Sequence, residues 1–111
     1  MERLEDVALF VEGKNDKLAL EALGFREIYL VSGTLKRSCE DAAKNGVKKA
    51  VILTDLDERG DELAFEAGEE LARYGITSDA ETRKVIGGML KLRHFEDIKK
   101  KLEEFLADNR D

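Results

Sequence analysis

Two aspartates one residue apart follow an apolar run in LTDLDERG, residues 53–60. A carboxylate beside a buried strand costs free energy unless a proton, a hydrogen-bond donor or a cation meets it. Glu12 ends a second apolar run, VALFVEG, in the same way. If these two runs are neighbouring strands, Glu12, Asp55 and Asp57 meet at one rim. Three carboxylates held close raise one another's pKa values unless a positive charge offsets them. Oxygen-only donors with no histidine or cysteine nearby suit a hard divalent ion, magnesium first and manganese as its substitute. The alternative is a solvated acidic turn whose aspartates cap the following helix, since Asp57 or Glu58 near a helix N-terminus is favourable without any metal.

Other polar residues sit at equivalent places. Lys14 follows Glu12-Gly13 and is either a phosphate contact or plain surface. Ser32-Gly33-Thr34, with Lys36 just beyond, precedes a helical pattern and offers backbone N–H groups to a phosphate; a simple tight turn accounts for it equally well. Gly60 opens the helix after the aspartates and allows close backbone approach. "GKN" at 13–15 is not a P-loop, because Ala8 stands where the first glycine belongs and Asn15 where Ser or Thr belongs. A phospho-receiver domain needs five strands, and a D-x-D phosphatase carries its pair on the first motif strand; neither matches.

The elements that position these residues follow from periodicity. Val7–Val11, Ile28–Val31 and Ala50–Thr54 are apolar runs of strand length. Helical spacing occupies residues 15–23, capped by Asn15 or Asp16 and ended by Gly24. It returns in Leu35, Cys39, Ala42 and Ala43, closed by Asn45-Gly46, and in Leu63, Ala64, Ala67 and Leu71, stopped by Tyr74-Gly75. Strands apolar on both faces, alternating with helices, imply a parallel sheet covered on both sides. The three polar clusters then share the carboxyl edge, where open α/β sheets bind ligands. Beyond Gly75, Ile76-Thr77 makes a short fourth strand. Ser78-x-x-Glu81 forms a capping box for a helix containing Val85 and Ile86, which Gly87-Gly88 breaks or bends. A last helix from about His94 carries Phe95, Ile98, Leu102, Phe105 and Leu106 as its stripe. These helices pack across the sheet or form a dimer contact.

Composition limits the function classes. The chain has 111 residues, enough for one domain, with a net charge of −6. A protein that grips nucleic acid chiefly by neutralising phosphates is basic, so a nucleic-acid role here requires a metal, a partner protein or a local basic patch. Arg83–Lys101 carries such an excess, read either as a solvated helical face or as a phosphate-contacting surface. No apolar run approaches the roughly 18 residues of a membrane span. MERLEDVALF lacks a basic n-region, and Cys39 has no cysteine to pair with; both lead to a cytoplasmic expectation. Cys39 reads as buried filling, and His94, the single histidine, as a helix-start or surface residue far from the acids.

Three motifs in order, LFVEGKND at 9–16, VSGT at 31–34 and VILTDLDERGDELA at 51–64, resemble a TOPRIM domain. This module is shared by topoisomerases, bacterial-type primases, overcoming-lysogenisation-defect nucleases, recombination mediators and a bacterial ribosomal-RNA maturase. The match covers about residues 6–73 and is most similar to the maturase branch and to small stand-alone archaeal members; the tail at about 78–108 matches none of its motifs. The resemblance implies a three-layer Rossmann-like α/β fold with three or four parallel strands. It implies magnesium at Asp55 and Asp57, and Glu12 as general acid or base or as a further metal contact. Gly13, Asp16 and Gly60 would serve the motif's loop and helix-cap structure. The implied activity is phosphodiester cleavage or transfer on RNA or DNA, the alternative being a non-catalytic module that binds nucleic acid or protein in a repair or RNA-processing complex. Neither residues nor resemblance name the substrate, its strandedness or the oligomeric state.

Overall fold

A computed structural model describes residues 7–109. Its sheet has four parallel strands in the order β2-β1-β3-β4: β1 Ala8–Val11, β2 Ile28–Leu30, β3 Lys49–Leu53 and β4 Thr77–Asp79. Five helices accompany them: α1 Lys14–Ala22, α2 Leu35–Lys44, α3 Glu58–Arg73, α4 Thr82–Leu90 and α5 Ile98–Asp108, the last preceded by a single 3-10 turn at Phe95–Asp97. The expected three-layer parallel architecture is the one found, with the fourth strand present.

Strand alternation divides the core. Ala8 and Phe10 of β1, with Ala50 and Ile52 of β3, pack against Cys39 and Ala42 of α2 and Leu63, Ala67 and Leu71 of α3. Leu9, Val11 and Leu53 point the other way, onto Leu20 of α1 and onto Leu92, Phe95 and Ile98. Both faces of β1 are therefore dry, which is why its sequence is continuously apolar rather than alternating. The C-terminal helices do pack across the sheet: α4 lies against β3, and α5 lies against α1 and α4. Along α5 burial fades from Ile98 to Leu106, which is 52% exposed.

Three local expectations are corrected. The N-cap of α1 is Gly13, not Asn15 or Asp16; Asp16 lies one turn inside and its Oδ2 accepts from the Gly13 amide at 2.9 Å. Ser78 belongs to β4, and the N-cap of α4 is Glu81; the Asp79 carboxylate, at the end of β4, accepts from the amides of Glu81 and Thr82 and from the Thr82 hydroxyl. Gly87-Gly88 does not break α4. The helix continues to Leu90 and stops at Lys91, a left-handed residue with φ 53°. Gly87 is there for proximity: a Cβ on it would meet Leu56 Cγ at 2.9 Å and Leu92 O at 3.1 Å.

Candidate metal centre

The strand order puts β1 and β3 side by side in parallel, Val11 opposite Leu53. The chain leaves β1 toward β2 on one side and resumes with β3 on the other, so the crevice between their carboxyl ends is the sheet's switch point. Glu12 and Asp55 emerge there, and Glu12 Oε1 accepts from the Asp55 amide at 3.2 Å, a contact between residues 43 apart in sequence.

The turn from β3 into α3 is held from within. Asp57 is the N-cap of α3, its Oδ1 accepting from the Gly60 amide at 2.6 Å. The buried Thr54 hydroxyl donates to the Gly60 carbonyl at 2.7 Å. Gly60 lies directly over Asp55: a Cβ there would come within 1.8 Å of the Asp55 carbonyl oxygen. Asp57 is therefore a helix cap as the acidic-turn alternative requires, while its Oδ2 takes no part in the cap.

Two residues outside the expected set complete the rim. His94 Nδ1 lies 3.2 Å from Asp55 Oδ2, and the Phe95 amide donates to Asp55 Oδ1 at 3.0 Å. The Leu56 amide donates to the Arg93 carbonyl at 2.7 Å, so the strip 93–95 is laced to the aspartate loop. The expectation that His94 lies far from the acids is thus overturned. Arg83 is likewise no part of a solvated basic face. It is 1% exposed; its Nε donates to the Thr54 carbonyl and hydroxyl, and its Nη2 donates to the Asp55 carbonyl and pairs with Asp61. The other cations of 84–100 in that segment are exposed.

One signal for Arg83 is visible in retrospect: with Ile86, Gly87 and Leu90 it lies on the i, i+3, i+4, i+7 face, the buried one. For His94 no local pattern reports a contact across 39 positions of chain.

The electrostatics follow from crowding. Burial and the charges of Asp55 and Asp57 raise the Glu12 carboxyl above its usual value, against the Asp55 amide and Arg59. Asp16, buried behind them, is raised to about 6, by desolvation first and by Asp55, Glu12 and Glu96 after it. The Asp55 carboxylate raises the His94 imidazole above 6.5. Each group is pushed toward holding a proton, as expected of a rim with surplus negative charge.

Asp55, Asp57 and His94 each offer a donor atom, all within 4.8 Å of one another. Adjacent ligands on an octahedral ion at about 2.1 Å lie about 3 Å apart, close to the observed His94–Asp55 separation, and the donor chemistry suits a divalent cation. Glu12 is not in that converging set, its Oε1 being engaged by the Asp55 amide. The other expected contacts are placed as follows. Lys14 is the exposed first residue of α1, and Gly13 its cap. The Ser32 amide donates to the Glu12 carbonyl, setting that loop beside the rim. Thr34 turns its hydroxyl back to Leu30 O, and Ser32, Gly33 and Lys36 are exposed.

Residues 6–79 match the family model for the Toprim domain. A UPF0292 protein of Pyrococcus abyssi is 36% identical over 94 residues, covering 85% of this chain and 68% of its own. A UPF0292 protein of Thermococcus kodakarensis is 36% identical over 93 residues, covering 82% and 70%. Among solved structures, a putative protein from Aquifex aeolicus superposes with a TM-score of 0.72 at 27% identity, over 83% of this chain and 84% of that one. Arg83 and His94 lie beyond the stretch the family model matches.

Proposed function

The chain belongs to the Toprim domain family, and from that premise we propose that it binds a divalent cation of the magnesium class at Asp55 and Asp57 and acts in phosphodiester cleavage or transfer on RNA or DNA. The observation that carries this reading is the 3.2 Å contact between Glu12 and the Asp55 amide. It brings acids from two distant strand ends together at the switch-point crevice, the place where open α/β sheets bind ligands. When bound, the ion would neutralise charge building on a phosphodiester.

The chain's own residues do the rest. Asp55 is oriented by the Phe95 amide, Asp57 by its cap on Gly60, and Arg83 pins the backbone from which Asp55 projects. Glu12, with its pKa raised by burial, is suited to holding or passing a proton beside the phosphate. Lys14, the exposed Ser32 side chain and the amides of Gly33 and Thr34, on the same edge, would contact the nucleic-acid backbone.

A second reading, a non-catalytic module for nucleic acid or protein, draws on one observation: both oxygens of Asp55 already have protein partners. The two separate in one experiment. Labelled single-stranded RNA, structured RNA and duplex DNA are incubated with Mg2+ or Mn2+ and wild-type protein, Glu12→Gln or Asp55→Asn. Metal-dependent cleavage abolished by both substitutions supports the enzyme. Binding without turnover, unaffected by Glu12→Gln, supports the module.

A further inference from the structure

The His94 side chain is 44% exposed, but the backbone that carries it is fixed. On one side Arg93 O accepts from the Leu56 amide; on the other the Phe95 amide donates to Asp55 Oδ1. Leu92 and Phe95, which bracket it, are 4% and 0% exposed in the core beneath the sheet. The imidazole is therefore carried on a strip anchored twice to the aspartate loop and twice to the core. Asp55 is equally constrained: with Oδ1 taken by the Phe95 amide, Oδ2 is the oxygen presented to His94 Nδ1 at 3.2 Å. Two lone pairs cannot face each other at that distance without a proton or a cation between them.

We propose that His94 completes the donor set of this rim with Asp55 and Asp57, so that the centre selects a nitrogen-accepting first-row cation, such as manganese, over magnesium. The inference rests on the reading of the rim as a cation site and names which cation it takes. The chemistry is that of the donors. Magnesium holds its waters and prefers oxygen, whereas imidazole favours the first-row ions. Two carboxylates would accept either ion; the histidine is the group that tells them apart. Anchoring matters too, because a donor already held in place loses little freedom on binding.

The test is direct binding with a ligand-specific readout. Mn2+ and Mg2+ are titrated calorimetrically into wild-type protein, His94→Ala, His94→Gln and Asp57→Asn, and the bound Mn2+ is examined by pulsed electron paramagnetic resonance for coupling to a directly ligated nitrogen. The wild type is expected to bind Mn2+ at least ten-fold more tightly than Mg2+ and to show the nitrogen coupling. Both His94 variants should lose the coupling and ten-fold or more of Mn2+ affinity, with Mg2+ affinity within about three-fold of wild type. Asp57→Asn should weaken both ions. Mn2+ bound without nitrogen coupling, or His94 variants that weaken both ions equally, would overturn the role of His94 and leave the cation site standing. If neither ion binds the wild type, the cation site fails and this inference fails with it.

Discussion

Replacing Gly60 with alanine sets helix propensity against packing, and the structure decides which prevails. Gly60 is the third residue of α3, where alanine would be worth up to about 1 kcal/mol in an open helix. Its added Cβ, however, would sit 1.8 Å from the Asp55 carbonyl oxygen and 2.6 Å from the carbonyl carbon. A carbon–oxygen contact needs about 3.3 Å, so two stretches of backbone must part by about 1.5 Å. No flexible side chain is available to yield. The shift breaks the Gly60–Asp57 cap, at about 1 kcal/mol. It also strands the Thr54 hydroxyl from the Gly60 carbonyl, at about 1–3 kcal/mol. Set against the propensity gain, the net loss is about 2 kcal/mol, which in a domain near this size lowers the Tm by about 10 °C.

Gly68→Ala is the internal control, because in the same helix its Cβ meets only Ser78 Oγ at 3.5 Å; it should be neutral or stabilising by about 0.5 kcal/mol. Urea denaturation of both variants, with Mn2+ titration of whatever Gly60→Ala remains folded, reads the result. A Gly60→Ala protein within 1 kcal/mol of wild type, or one behaving like Gly68→Ala, would refute the claim that the aspartate turn depends on that close approach.

Arg83→Met, which keeps the aliphatic stem but leaves the Thr54 and Asp55 carbonyls without their donor, should destabilise by about 3 kcal/mol in denaturant melts. Asp61→Asn should cost under about 1 kcal/mol, since Asp61 is 66% exposed and its pair with Arg83 is solvent-screened. Asp16 has its carboxyl raised from 3.8 to about 6, so the folded state holds the proton more tightly than the unfolded chain does. Its contribution is unfavourable above pH 6, and stability should fall as pH rises from about 4 to about 6. Asp16→Asn keeps an acceptor for the Gly13 amide and should remove that slope, leaving the variant about 1–2 kcal/mol more stable than wild type at pH 7 and equal to it near pH 4. In α4, Gly88→Ala, with nothing within 4 Å of its Cβ, should raise the Tm, while Gly87→Ala, crowding Leu56 and the Leu92 carbonyl, should lower it.

What could be read along the chain is whatever rests on short-range periodicity. VALFV, IYLV and AVILT announce doubly buried strands because both alternating faces are apolar. The polar clusters after them announce the carboxyl edge, and the rhythm of strand and helix requires that edge to be shared. The motif trio carried the family as well, since its residues lie within a few positions of strand ends. What could not be read depends on which surfaces meet. Asp79 displaced Ser78 as the acceptor for the amides of Glu81 and Thr82, and Gly87 serves as a contact point within α4, because α4 packs on Leu56 and the 92–95 strip. Arg83 looked like one more cation in a basic segment, yet the buried carbonyls of Thr54 and Asp55 make it a core residue. His94 reaches Asp55 only after α4 has crossed the sheet and turned back at Lys91. A residue's neighbours along the chain are set by bond lengths and helical pitch; its neighbours across 39 positions are set by how two apolar faces bury one another, and no local pattern records that choice.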